Sequence, residues 1–262
     1  EERNSSIKRL TSAADGSAAV ATTGAGTSVA SVTGRVVYEL MGSACEGYAQ
    51  NMRFVTETTN TDGQGQISDL RTSSWEDSPA KRMRFSSSTY GNDQLVDQTQ
   101  GTAAKLAKPS NGGALAIDLS RPSKKTAEIA DTALFPIEHS MAIIKHGRAG
   151  ERFFAANLYD GSEGGEKYYF TSSVIGRPTA GAEKKEWVSA SGAGKLEGLA
   201  SWPVSIAYFK PETRRIDSAP LYEMRFRFYE NGITSELVID HGDYSLKGEL
   251  KELVLLEANP CP

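Results

Sequence analysis

From Val29 to the end of the chain, apolar and polar residues alternate with a period of two, in runs broken by tight-turn dipeptides. That pattern belongs to strands buried on one face, and it excludes a helical bundle. Val32, Val36, Tyr38 and Leu40 share one parity, and Tyr48, Met52, Phe54 and Thr56 share the next. Asp62-Gly63 and Asn231-Gly232 are hairpin signals, and Asp160 to Gly165 is a turn cluster. About a dozen strands can be counted between Val29 and Leu256, which leaves a barrel, a sandwich or a rolled sheet open.

One segment breaks the alternation. Leu134 to Gly147 has Pro136 near its start, Gly147 at its end and Ile137, Met141 and Ile144 at helical spacing. The spacing predicts a single short helix covering one mouth or face of the sheet. Residues 1–28 differ from the rest, being rich in Ser, Ala, Thr and Gly, and are expected to form a flexible segment ahead of one domain over 29–262.

The chain has 262 residues, 39% of them hydrophobic, enough for a sizeable core. A net charge of −4 gives no ground for a nucleic-acid partner. No apolar run reaches the roughly 18 residues of a membrane span. The opening Glu1-Glu2-Arg3-Asn4 carries no hydrophobic leader, which fits a mature or trimmed chain and leaves secretion open.

There are two cysteines, Cys45 and Cys261. Their number alone allows a pair of buried thiols or a disulfide. The setting of Cys261, between Pro260 and Pro262, favours a bridge, because such a tail cannot continue a strand and frays unless tethered. A bridge closing so long a loop would stabilise by up to about 5 kcal/mol and would imply an oxidising compartment.

Candidate chemistry is sparse. His139 and His146 lie seven apart, two helical turns, and read as a helix-surface pair; no third ligand with metal spacing accompanies them. His241 reads as a turn residue. No serine stands in Gly-x-Ser-x-Gly, and Glu76-Asp77 and Glu249 with Glu252 read as solvated strand ends. Gly24-x-Gly26 lacks the strand-to-helix setting of a phosphate loop, and Lys184-Lys185 and Arg214-Arg215 read as loop pairs. A stronger pattern is Tyr222 to Tyr229, where Arg225 and Arg227 share a face opposite Met224, Phe226 and Phe228. Arg82 and Arg84 repeat it around Met83 and Phe85. Besides a plain solvated strand face, these four arginines are candidates to dock an acidic partner or an anionic envelope polymer.

Several motifs resemble one family. Gly42-Ser43-Ala44-Cys45-Glu46-Gly47-Tyr48, Arg71-Thr72-Ser73-Ser74-Trp75-Glu76, Phe135-Pro136 with His139, Tyr159-Asp160-Gly161-Ser162, Trp202-Pro203-Val204-Ser205 and Tyr229-Glu230-Asn231-Gly232 look like the EipB family of alphaproteobacterial envelope-integrity proteins. The resemblance spans roughly Val29 to Pro262. It implies a periplasmic protein folded as one highly curved antiparallel sheet, an all-β spiral or open barrel, with a disulfide between Cys45 and Cys261. It also implies support of the envelope under stress, contact with a periplasmic tetratricopeptide-repeat protein, and no enzymatic activity, cofactor or metal. The departure is at the N-terminus, where the Ser/Ala/Gly-rich stretch replaces the family's first strand. The alternative expectation is a carrier or sensor of lipid or lipoprotein, holding acyl chains in an apolar half-barrel.

Overall fold

The computed structural model describes residues 12–23, 29–106, 114–179, 190–213 and 218–255, with the backbone alone for 12–23. Period-two segments form strands, in chain order β1 (Ser12–Thr23), β2 (Val29–Ser43), β3 (Gly47–Asn60), β4 (Gly65–Glu76), β5 (Arg82–Gly91), β6 (Gln94–Lys105), β7 (Leu115–Arg121) and β8 (Lys125–Ile129). Helix α1 (Pro136–Arg148) follows, then β9 (Phe153–Leu158), β10 (Tyr169–Ile175), β11 (Ser201–Phe209), β12 (Tyr222–Tyr229), β13 (Thr234–Asp240) and β14 (Tyr244–Leu255). In β7 the pattern is plain: Leu115, Ile117 and Leu119 are buried while Asp118 and Ser120 face solvent.

All fourteen strands belong to one sheet, in the order β8-β7-β6-β5-β4-β3-β2-β1-β14-β13-β12-β11-β10-β9, and every neighbouring pair is antiparallel. β1 therefore lies mid-sheet, and from it the strands wind out to one edge at β8, cross through α1 to the opposite edge at β9, and wind back until β14 lies against β1. The two edges approach each other without pairing strand to strand. The link into α1 bridges them: the Leu134 N–H donates to the Asn157 carbonyl at 2.8 Å, and the Tyr159 N–H donates to the Leu134 carbonyl at 2.9 Å. This is the rolled, unclosed sheet with a covering helix that the sequence led us to expect.

Ser12–Thr23 corrects the expectation for residues 1–28. It forms β1, paired with β2 from Ser12 to Ala19 and with β14 from Ser12 to Thr23. Ladder hydrogen bonds require only backbone, so a run of small residues lodged between two long strands is ordered despite its weak apolar pattern. The stretch that seemed to replace a first strand is that strand. β8 was also missed, being five residues long and mostly charged or polar, the composition suited to a sheet edge.

Of the three apolar clusters among the described residues, two involve α1 or the segment leading into it. One joins Ile137, Ile143 and Ile144 of α1 to Trp202, Ile206 and Phe228 of the returning arm and Leu40 of the outgoing one. The other packs Met83, Phe85, Leu115 and Ile117 against Phe135 and Tyr159. Gly147 lets α1 approach closely, since a Cβ there would stand 3.1 Å from the Trp202 ring. Tyr159, fully buried, donates its hydroxyl to the Gly165 carbonyl at 2.7 Å and holds the loop after β9 against the opposite arm.

Candidate functional site

The strands β3 to β8 carry a shallow groove of about 900 Å³, lined largely by side chains that alternate away from the apolar core and also by Phe85 and Leu119 of that core. Strand register creates it. Ala49, Trp75, Arg84, Thr102, Asp118 and Thr126 stand opposite one another on successive strands, so their side chains form one row across the sheet. The Arg84 guanidinium lies 4.9 Å from the centre of the half-buried Trp75 ring, an arrangement that holds a normally mobile cation in place. Lys124 and Lys125 border the same groove.

The four predicted arginines are not brought together, because six strands lie between β5 and β12. Arg82 and Arg84 are exposed as expected. Arg225 is exposed and pairs with Asp240 at 3.1 Å. Arg227 corrects the expectation: it is 8% exposed, donates to the Thr179 hydroxyl at 3.1 Å, and pairs with Glu236 at 3.4 Å. A bulge in the β12–β13 ladder places Glu236, at φ 57°, beside it, and the segment leaving β10 covers it through the Thr179–Ser201 bridge. The Arg225/Arg227 half of the proposed docking face is thus an internal ion pair beside one surface cation.

Two further readings are corrected at α1. Glu76 is no solvated strand end. It is 2% exposed, and its carboxylate accepts the backbone N–H of Ile137 at 2.7 Å and of Glu138 at 3.3 Å. Burial pushes its carboxyl up to about 7, against those hydrogen bonds, which favour the charged form. Lys105 pairs with Glu138 alongside it. His139 is buried as well, not on the helix surface. Its Nε2 lies 2.9 Å from the Thr171 hydroxyl, and that hydroxyl donates to the Ala156 carbonyl, so the Nε2–H is the donor. Burial holds its pKa down at about 4. Glu76 is thus brought close to neutrality and His139 away from it, and both are committed to fixing the helix.

A third polar region lies under the loop after β9. Tyr208 and Tyr222 stack at 4.4 Å and Tyr169 meets both edge-on, near Asp160, whose carboxyl burial pushes up. Burial likewise raises all three phenols. No group of three His, Cys, Asp or Glu side chains able to hold a metal occurs among the described residues. Cys45 sits in the turn between β2 and β3, and no cysteine among the described residues is free. Cys261, Gly24, Gly26, Lys184, Lys185, Arg214 and Arg215 lie outside the described residues. Among the described residues, no helix is long and apolar enough to cross a membrane.

The geometry defines a barrel-like β protein with an outward polar groove and a helix-plugged interior. The chain belongs to the EipB-like family, whose description matches residues 19–257. It is 36% identical over 225 residues to the cell envelope integrity protein EipB of Brucella abortus (strain 2308), covering 86% of this chain and 76% of that protein. Its fold is similar to that of a beta-barrel-like protein of domain of unknown function DUF1849 from Brucella abortus, with a TM-score of 0.84 and 30% identity. That match covers 96% of this chain and all of the other.

Proposed function

We propose that this protein supports the cell envelope from the periplasm, without catalysis, by contact with a tetratricopeptide-repeat protein. The observation that carries the reading is membership of a family in which a relative is named for cell envelope integrity. The use of Glu76 and His139 supports it: these two buried titratable groups are spent on anchoring α1. In the same reading, Cys45 and Cys261 form a disulfide suited to an oxidising compartment, supported by the absence of a free cysteine among the described residues.

The lipid-carrier alternative gains little from the packing. The space a half-barrel carrier would leave for acyl chains holds α1, Trp202, Phe135 and Tyr159, and the groove is bordered mainly by hydroxyl, amide and charged side chains. The contact reading is tested by pull-down from periplasmic extract with wild type, Arg82→Glu and Arg225→Glu, both arginines lying outside the groove. A tetratricopeptide-repeat protein recovered by wild type and reduced by either reversal supports it. Recovery of none overturns the named partner, and equal recovery by all three removes these arginines from the contact.

A further inference from the structure

We propose that the outward groove of β3–β8 is a binding site for a glycan chain bearing carboxylates. Three features of the groove point to that chemistry, and none depends on the protein–protein contact proposed above. The first is its mixed lining, in which polar side chains stand beside Trp75, Phe85 and Leu119. Beside the Trp75–Arg84 row runs a second, Asn51, Ser73, Ser86 and Gln100, set by the same register. Side-chain amides, hydroxyls and the Asp118 carboxylate can donate to and accept from neighbouring sugar hydroxyls together, which a purely cationic patch cannot do.

The second feature is charge. Arg84 and Lys124 have no carboxylate partner among the described residues, whereas Lys125 pairs with Glu166 at 2.6 Å. Asp118 is the one carboxylate in the lining. Unneutralised cations in a groove favour an anionic ligand, and a guanidinium held over an indole is prepared for a carboxylate's two oxygens.

Direction is the third feature. The first row runs across six strands spaced about 4.8 Å apart, about 24 Å perpendicular to the strands, and the second runs across four of them. A peptide bound by strand addition would lie along an edge and would want apolar pockets for alternate side chains. An extended sugar chain lying across the pleats would meet a polar side chain at nearly every strand, with Trp75 as the aromatic contact.

Isothermal titration of the purified protein tests this with tetragalacturonate, neutral chitotetraose and tetraglutamate as probes. Tetragalacturonate is expected to bind saturably and at least about tenfold more tightly than the other two, the cost of losing a charge-assisted or hydroxyl-directed set of hydrogen bonds. Arg84→Gln and, separately, Gln100→Leu are expected to weaken it by about tenfold with unchanged melting temperatures. Both residues lie off the apolar core, so the variants separate binding from folding. Absence of tetragalacturonate binding, equal binding of tetraglutamate, or an affinity indifferent to both substitutions overturns the proposal.

Discussion

The carboxylate of Glu76, at the end of β4, caps the first turn of α1 by accepting the Ile137 N–H, sixty-one residues away, at 2.7 Å. Helix starts usually recruit a Ser, Thr, Asp or Asn just ahead of them. Here that position is Phe135, which is fully buried in the second apolar cluster and has no side-chain oxygen. The cap therefore comes from across the roll, and with it a negative charge favoured by the helix dipole. One interaction ties the outgoing arm of the sheet to the helix that plugs it.

Glu76 and His139 should give the protein a hidden pH dependence. Glu76 has a folded pKa of about 7, above the usual carboxylate value, so its contribution is full below about pH 4.5 and is lost as pH rises through 7. His139, held at about 4, contributes fully above about pH 6.5 and loses that contribution as pH falls towards 4. The two opposing slopes, each about 3 kcal/mol at full extent, overlap and largely cancel. Urea unfolding between pH 4.5 and 7.5 is expected to show a shallow wild-type profile, stability rising with pH in Glu76→Gln, and stability falling with pH in His139→Gln. Variant profiles parallel to wild type would discard this pairing.

Closure of the roll should depend on the missing side chain at Gly161. Its φ is +78°, and a Cβ there would stand 2.4 Å from Phe85 Cδ2, a ring at the centre of the second cluster. Gly161→Ala is expected to destabilise by about 2–4 kcal/mol, combining left-handed strain with overpacking. Gly150 has nearly the same φ, +77°, with open space around it, so Gly150→Ala should cost only the backbone share, about 1 kcal/mol. Equal effects in thermal melts would mean that the Phe85 contact relaxes freely.

What the sequence makes legible here is local. The twelve strands with apolar alternation, the Asp62-Gly63 and Asn231-Gly232 turns and the Pro136-to-Gly147 helix all follow from short-range pattern. β1 has no such pattern, because its order comes from two ladders supplied by strands far along the chain. Glu76 and His139 read as surface residues for a related reason: burial is decided by which arm lies over them. The groove was half visible. Arg84 stood out beside Phe85, but Trp75, Asn51, Gln100 and Asp118 come from separate strands and join it only through register.

The proposed link from Cys45 to Cys261 has a direct consequence. It would fasten the C-terminal tail to the turn between β2 and β3, and removing such a bridge typically costs about 2–5 kcal/mol. Unreduced, denatured protein should titrate with no free thiol, and Cys45→Ser should melt earlier than wild type in oxidising buffer but level with it once reductant is added. Two reactive thiols in the unreduced protein would end the proposal.

Arg225 and Arg227, alike in the sequence, should part ways on mutation. Arg225 is exposed, and its pair with Asp240 is a surface salt bridge, so Arg225→Ala is expected to change stability by under about 0.5 kcal/mol. Arg227 is buried under Thr179 and Ser201 and balances Glu236 in the β12–β13 bulge. Arg227→Ala leaves those hydroxyls and that carboxylate without their donor, and should cost about 1–3 kcal/mol. Adding Glu236→Gly should recover part of the loss, since it removes the stranded charge and relaxes the positive φ of 57°. Chemical unfolding of the three variants decides it: similar small effects for both arginines would return Arg227 to the surface and restore the paired cationic face that the strand pattern first suggested.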